Sequence, residues 1–211
     1  MGPRDTLLAG FAKQLGHPRG RAGQAVVRLL NNVNRGPVTG AVDALDIRRG
    51  ETALDLGFGG GLGLDLLLRA TEGGTVHGAE ISETALARAR RTFPKNLAAG
   101  RLVLHQAGMA ELPLEDGTID AALTVNTVYF IPDLVPAFAE VARVLSGGGG
   151  RFVVGIGDPE MMREMPFTGH GFRLRPPEEI EKALEDAGLE LRRHDRLGDG
   201  PRAFHLLVAG R

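Results

Sequence analysis

The 211-residue sequence predicts a doubly wound α/β fold: a mostly parallel seven-stranded sheet, a C-terminal antiparallel hairpin and an N-terminal helical lid. Three observations predict it. From residue 51 onward, short apolar runs alternate with stretches of helical periodicity, the pattern of βαβ units whose helices cover both faces of a sheet. A glycine-rich turn joins the first such run to its helix. The last two apolar runs follow one another with no helix between them, which implies an antiparallel pair.

Each element has its own signal. Residues 5–15 put Leu7, Leu8, Phe11 and Leu15 on one side of a helix. Gly16-His17-Pro18-Arg19-Gly20 breaks it. A second helical stretch carries Val26, Val27, Leu29, Leu30 and Val33, and a third covers 37–45, with Pro37 suited to a helix start. Strands are expected over 52–57, 75–80, 101–106, 119–125, 151–156, 189–196 and 203–209. Helices are expected over 62–69, after the N-cap Ser82, over 133–145 and over 177–187. Residues 1–48 are thus expected to form the helical extension, and residues 49–211 the cofactor-binding domain.

Composition narrows the chemistry. With 43% apolar and 24% charged residues the chain reads as an ordinary globular protein. Its net charge of −1, with scattered basic residues, offers no stripe for nucleic acid. It has no cysteine, which excludes disulfides, thiolate metal sites and cysteine nucleophiles. No apolar run approaches the ~20 residues needed to cross a bilayer, and no signal-peptide core follows Met1. A soluble, cytoplasmic protein, monomeric or homodimeric and without a membrane or nucleic-acid partner, is the expectation.

The strongest motif is Leu54-Asp55-Leu56-Gly57-Phe58-Gly59-Gly60-Gly61, between a strand and a helix. Small residues there let a ligand approach the backbone, and the helix N-terminus presents free N–H groups. Glu80 ends the next strand, where an acid can accept hydrogen bonds from ribose hydroxyls. This is a Rossmann-like nucleotide site. The dinucleotide spacing G-x-G-x-x-G fails, because Leu62 stands three residues after Gly59 and Leu64 three after Gly61. Asp55 suits a ligand with an amine and a sulfonium, and it repels a pyrophosphate.

The segment resembles motif I of the class I S-adenosylmethionine (SAM)-dependent methyltransferases, D-x-G-x-G-x-G, matched by Asp55, Gly57, Gly59 and Gly61. Glu80 matches the family's ribose acid. Gly108-Met109-Ala110-Glu111-Leu112-Pro113 and the following Glu115-Asp116-Gly117-Thr118-Ile119-Asp120 resemble the family's stretch beside the adenine. Val141-Ala142-Arg143-Val144-Leu145-Ser146-Gly147-Gly148-Gly149 resembles its turn before strand five. The core is similar to the ubiquinone/menaquinone-biosynthesis group. Met109 replaces the usual Asp, so the backbone of Met109 and Ala110 is left to hold the adenine, with methionine packing on the ring. The resemblance implies that SAM binds to Asp55, Gly57, Phe58, Gly59, Gly61, Glu80, Ile81, Gly108, Met109, Ala110 and Asn126.

SAM is a strong electrophile, so alignment of the acceptor and exclusion of water supply much of the rate. Residues 126–133 follow strand four, and in the family this stretch lines the methyl-donor end. Tyr129, the only tyrosine, is the candidate to face the acceptor; packing on the next helix is the other reading. His170, between two glycines, is the candidate base, against a merely solvated loop histidine. Met161, Met162, Met165, Phe167 and Phe172 suggest an adaptable apolar wall. Asn31, Asn32 and Asn34 mark either a lid over the donor or an ordinary helix end, and His17 and Arg19 stand in the loop before them. His77, His105 and His205 lie in strands and read as structural. No metal is expected.

The leading function is methyl transfer to a small, apolar or aromatic molecule. A SAM-binding regulator without activity, and a methyltransferase for protein or RNA, are the alternatives. The glycine spacing and Asp55 oppose a nicotinamide or flavin oxidoreductase.

Overall fold

The computed structural model describes residues 5, 8–10, 12 and 34–211. Residues 5, 8–10 and 12 are helical, and Ala12 is buried. The helical stretch expected over 26–33, the break at 16–20, and His17, Arg19, Asn31 and Asn32 lie outside the described residues.

The chain then runs α1 (Arg35–Ala44), β1 (Ala53–Leu56), α2 (Leu62–Ala70), β2 (Val76–Ala79), α3 (Glu83–Thr92), α4 (Pro94–Ala98), β3 (Leu102–His105) and β4 (Ala121–Val125). A 3-10 turn (Val128–Phe130) leads to α5 (Leu134–Val144), β5 (Arg151–Gly157), α6 (Pro159–Arg163), α7 (Pro177–Asp186), β6 (Glu190–Leu197), a second 3-10 turn (Gly200–Arg202) and β7 (Phe204–Gly210). The helix expected from Pro37 begins two residues earlier, at Arg35. Proline is tolerated there because first-turn N–H groups have no intrahelical partner.

The sheet order is β3-β2-β1-β4-β5-β7-β6. β1 to β5 are parallel; β7 is antiparallel to both β5 and β6. The seven strands and the closing hairpin stand as the sequence predicts. The order reverses between β1 and β4, and open α/β sheets bind ligands beyond the strand ends at such a switch point.

Strand alternation builds a core on each face. Phe152, Val154 and Ile156 of β5 join Leu54, Leu56, Phe138 and Leu184 on one side. Val153 joins Ala53, Leu64, Leu86 and Leu206 on the other. α1 contributes Ala41 and Val42 to that second core, followed there by Leu45. The outer strand β6 is largely exposed and charged, with Arg192, Arg193, Asp195 and Arg196, a composition that discourages edge-to-edge pairing. Among the described residues no helix is long and apolar enough to cross a membrane.

Candidate functional site

Asp55, the glycine loop, Glu80, Gly108 and Asn126 all sit at or just past the C-terminal ends of β1, β2, β3 and β4. The fold therefore gathers residues up to 71 positions apart around one cleft.

The loop's shape depends on two glycines. Gly57 has φ +74°, and a Cβ there would stand 2.5 Å from the Thr127 hydroxyl. Thr127 in turn donates to Val125 O (3.3 Å) and Leu56 O (3.4 Å), tying the ends of β1 and β4 together. Gly63, in the first turn of α2, leaves no room for a side chain, because the Asp55 carboxylate lies against it. Neither Thr127 nor Gly63 was among the expected site residues. Gly59 faces open space: a Cβ there would meet only Gly57 O, at 3.9 Å.

Glu80 joins two loops. One oxygen accepts the N–H of Gly59 at 3.1 Å, and the other accepts that of Ser82 at 2.9 Å. Each carboxylate oxygen keeps a further lone pair. Ser82 also caps α3, accepting the N–H of Ala85 at 3.4 Å. Ile81 follows Glu80 and is 47% exposed, with Gly108 opposite. A large apolar side chain left open beside a glycine makes a platform for a flat ring.

Asp55 is buried, and among the described residues no hydrogen bond or ion pair reaches its carboxylate. Burial first, then the charge of Glu80, push its pKa up to about 8. A buried carboxylate without a counter-charge favours a cationic ligand.

The loop after β3 is held from α5. Arg143 donates to Leu114 O (2.9 Å) and Leu112 O (3.2 Å), while pairing with Asp116 and Glu140. Glu140 accepts the N–H of Leu112 at 2.7 Å. Two separate sequence motifs thus form one brace. Within the loop, Met109 is buried in the core, and Gly108 and Ala110 face outward.

At the other end of the cleft, Asn126 has φ +57°, a conformation asparagine tolerates better than most residues. Its amide donates to Asn34 Oδ1 at 3.0 Å, and its Oδ1 accepts from the Tyr129 hydroxyl at 3.1 Å. Gly157 N–H donates to the Tyr129 oxygen at 2.7 Å. Tyr129 is buried, 3% exposed, and burial holds its hydroxyl firmly protonated. Phe172 packs 5.6 Å from Tyr129 and 4.8 Å from Phe130, with Phe167 5.7 Å further along. His170 is half-buried in the turn between these phenylalanines, its N–H bonded to Phe167 O at 3.1 Å.

The residues fit a sulfonium nucleoside: a glycine edge open to solvent, an acid placed for a ribose, an exposed apolar platform, and a buried carboxylate lacking a counter-charge. Residues 54–154 match the family described as a methyltransferase domain. Over this stretch the chain resembles the class I SAM-dependent methyltransferases, whose methyl donor is S-adenosylmethionine. The domain is 43% identical over 138 residues to an uncharacterized 37.1 kDa protein in a transposon of Streptomyces fradiae, covering 61% of this chain and 39% of that protein. It is 30% identical over 140 residues to a probable SAM-dependent methyltransferase of Mycobacterium tuberculosis, covering 64% and 47%. The chain spans less than half the length of these curated relatives. In structure the chain is similar to geranyl diphosphate C-methyltransferase from Streptomyces coelicolor, solved with Mg2+, geranyl diphosphate and S-adenosyl-L-homocysteine. The TM-score is 0.72 at 19% identity, over 94% of this chain and 87% of that one.

Proposed function

We propose that this chain moves a methyl group from SAM to a small, apolar or aromatic acceptor by in-line displacement. The observation that carries this reading is the aromatic cluster of Tyr129, Phe130, Phe167 and Phe172 beside the end of β4, next to the glycine loop. Such a wall suits a flat or hydrocarbon acceptor, and the low net charge supports no polyanion. The geranyl diphosphate enzyme, of the same fold, lends support to a small-molecule acceptor.

Roles follow from position. The backbone of Gly57, Phe58, Gly59 and Gly61 lines the donor; Glu80 holds its ribose hydroxyls; Ile81, Gly108, Met109 and Ala110 frame its adenine; Asp55 faces its charged amino-acid end. SAM supplies the electrophilic methyl group. The chain's own work is to orient the acceptor and exclude water. Asn126 fixes the donor end of the cleft. Tyr129, with its hydroxyl engaged on both sides, holds the turn in shape rather than taking a proton. His170 is the candidate base for an acceptor that retains its proton.

α1 packs into the core, and the bond from Asn126 to Asn34, the residue before it, supports a contact of the 1–48 extension with the donor end. We read the protein as working without a nucleic-acid partner, as a monomer or homodimer in the cytoplasm.

The test has two steps. Calorimetric titration with SAM, S-adenosylhomocysteine and NAD is expected to give micromolar binding of the two adenosyl ligands and none of NAD. Methyl-labelled SAM is then offered with a panel of phenols, quinols and prenyl compounds, and with total RNA and protein. Label in a small molecule supports the reading. Label only in a macromolecule, or binding with no transfer to anything, sinks it.

A further inference from the structure

Three backbone carbonyls after β4 converge on one buried guanidinium. Arg175 Nη1 donates to Val128 O at 2.9 Å, and Nη2 donates to Ile131 O at 2.8 Å and Pro132 O at 3.0 Å. Its Nε pairs with Glu179, in the first turn of α7, at 2.9 Å. Arg175 is only 8% exposed.

The need for it is local. A short 3-10 turn followed by Ile131-Pro132 has few N–H groups to offer its own carbonyls. Val128 O receives a long bond from Ile131 N–H, 3.3 Å, and Pro132 has no N–H at all. Buried carbonyls left without donors are costly. A guanidinium answers several at once, because its donors are spread over a rigid planar fork. The residues before Arg175 complete the grip. Arg173 N–H donates to Tyr129 O at 3.0 Å, and its side chain donates to Pro132 O at 3.2 Å. Phe172 covers the rings of Tyr129 and Phe130.

None of these bonds touches the loops after β1, β2 or β3. The loop after β3 has its own brace in Arg143. The two ends of the cleft are therefore held by separate arginines, one on each.

We infer that Arg175 is a positioning residue for the acceptor side of the cleft: it locks the 128–132 turn, and through it Tyr129 and the aromatic wall, by bonds that reach none of the loops after β1, β2 or β3. The assignment of that side to the acceptor rests on the function proposed above; the locking does not.

The chain has one tyrosine and no tryptophan, so its ultraviolet emission reports Tyr129 alone. Arg175→Met and Arg175→Lys are compared in the full chain by acrylamide quenching of that emission and by calorimetric titration with SAM. In the Met variant, quenching is expected to rise about threefold or more while SAM affinity stays within about threefold of wild type. Lysine, a single point donor that keeps the charge beside Glu179, is expected to fall between, and it supplies the readout if the Met variant does not fold. Tyr129 as shielded as in wild type would overturn the proposal. So would a loss of SAM affinity in step with Tyr129 exposure, since that marks a general brace of the fold. A wild-type chain that binds no SAM defeats the function reading instead, and the quenching result still decides the role of Arg175.

Discussion

The carboxylate of Asp55 lies directly against the α-carbon of Gly63, at a point where no side chain fits. A residue of β1 and a residue of α2 thereby set each other's position at the start of the glycine loop. Gly63→Ala is expected to push the carboxylate aside. Overpacking of this kind costs about 1–3 kcal/mol, and SAM affinity should drop about tenfold as the loop shifts. Thermal melting and calorimetry measure both. Unchanged affinity would show that Asp55 tolerates displacement.

Asp55 also predicts a proton release. In the protein alone its pKa is about 8, raised by burial and then by Glu80, so at pH 7 the group is mostly protonated. A cation beside it favours the carboxylate, so SAM binding should expel up to one proton and tighten as pH rises through 7 to 8. Titration in two buffers of different ionisation enthalpy reads this directly. Asp55→Asn should abolish the release, and Glu80→Gln should shift it to lower pH. The same group affects folding with a definite sign: a raised pKa means stability whole below the unfolded value near 3.8 and lost as pH climbs toward 8.

Arg143 braces the loop that presents Gly108 and Ala110. Arg143→Met should free that loop and weaken SAM binding about tenfold, the scale of one or two lost charge-assisted hydrogen bonds. Calorimetry on this variant beside Arg175→Met separates the two arginines. Equal losses in both would contradict a cleft with independently held ends.

Tyr129→Phe removes the donor to Asn126 and one of two acceptors of the Gly157 N–H, which keeps Asn126 Oδ1 at 3.2 Å. Each lost hydrogen bond is worth about 0.5–1.5 kcal/mol net. The variant should melt at lower temperature and lose turnover more than donor affinity. Turnover equal to wild type, on the acceptor found by the label screen, would leave the hydroxyl a purely structural part.

His77 and His105 stack at 5.2 Å with ring nitrogens 2.9 Å apart. Burial, then the neighbouring imidazole, lower His77 to about 4, and burial lowers His105. Histidines held neutral in the folded state lend stability that is whole above the unfolded value near 6.5 and lost as pH falls toward 4. Urea midpoints across that window should fall more steeply for wild type than for His77→Phe/His105→Leu. Parallel slopes would remove the pair from the acid sensitivity.

Much of this was legible in the sequence because it is local. Strand periodicity, the glycine spacing, Glu80 one strand later and the cap Ser82 each lie within a few residues of their effect. Other parts depend on partners far along the chain. Nothing near Gly63 says that Asp55 needs its space, and nothing near Leu112 says that Arg143 will hold it. Nothing near Met109 says that its side chain joins the core, because a residue's facing in a loop is set by the core beneath it. Tyr129 stood open between acceptor contact and packing; its burial and two hydrogen bonds give it an inward place. α4 and α6, of five residues each, are too short to show helical periodicity.

β6 reaches the rest of the sheet only through β7, the strand that follows it in sequence. During synthesis, then, β6 emerges with no strand to pair with, and β5 waits with one side bare. β7 completes both pairings, which makes this strand the keystone of assembly: ribosome-bound chains lacking it leave β5 and β6 with unpaired edges, the state in which such a domain is most prone to aggregate or to require a chaperone.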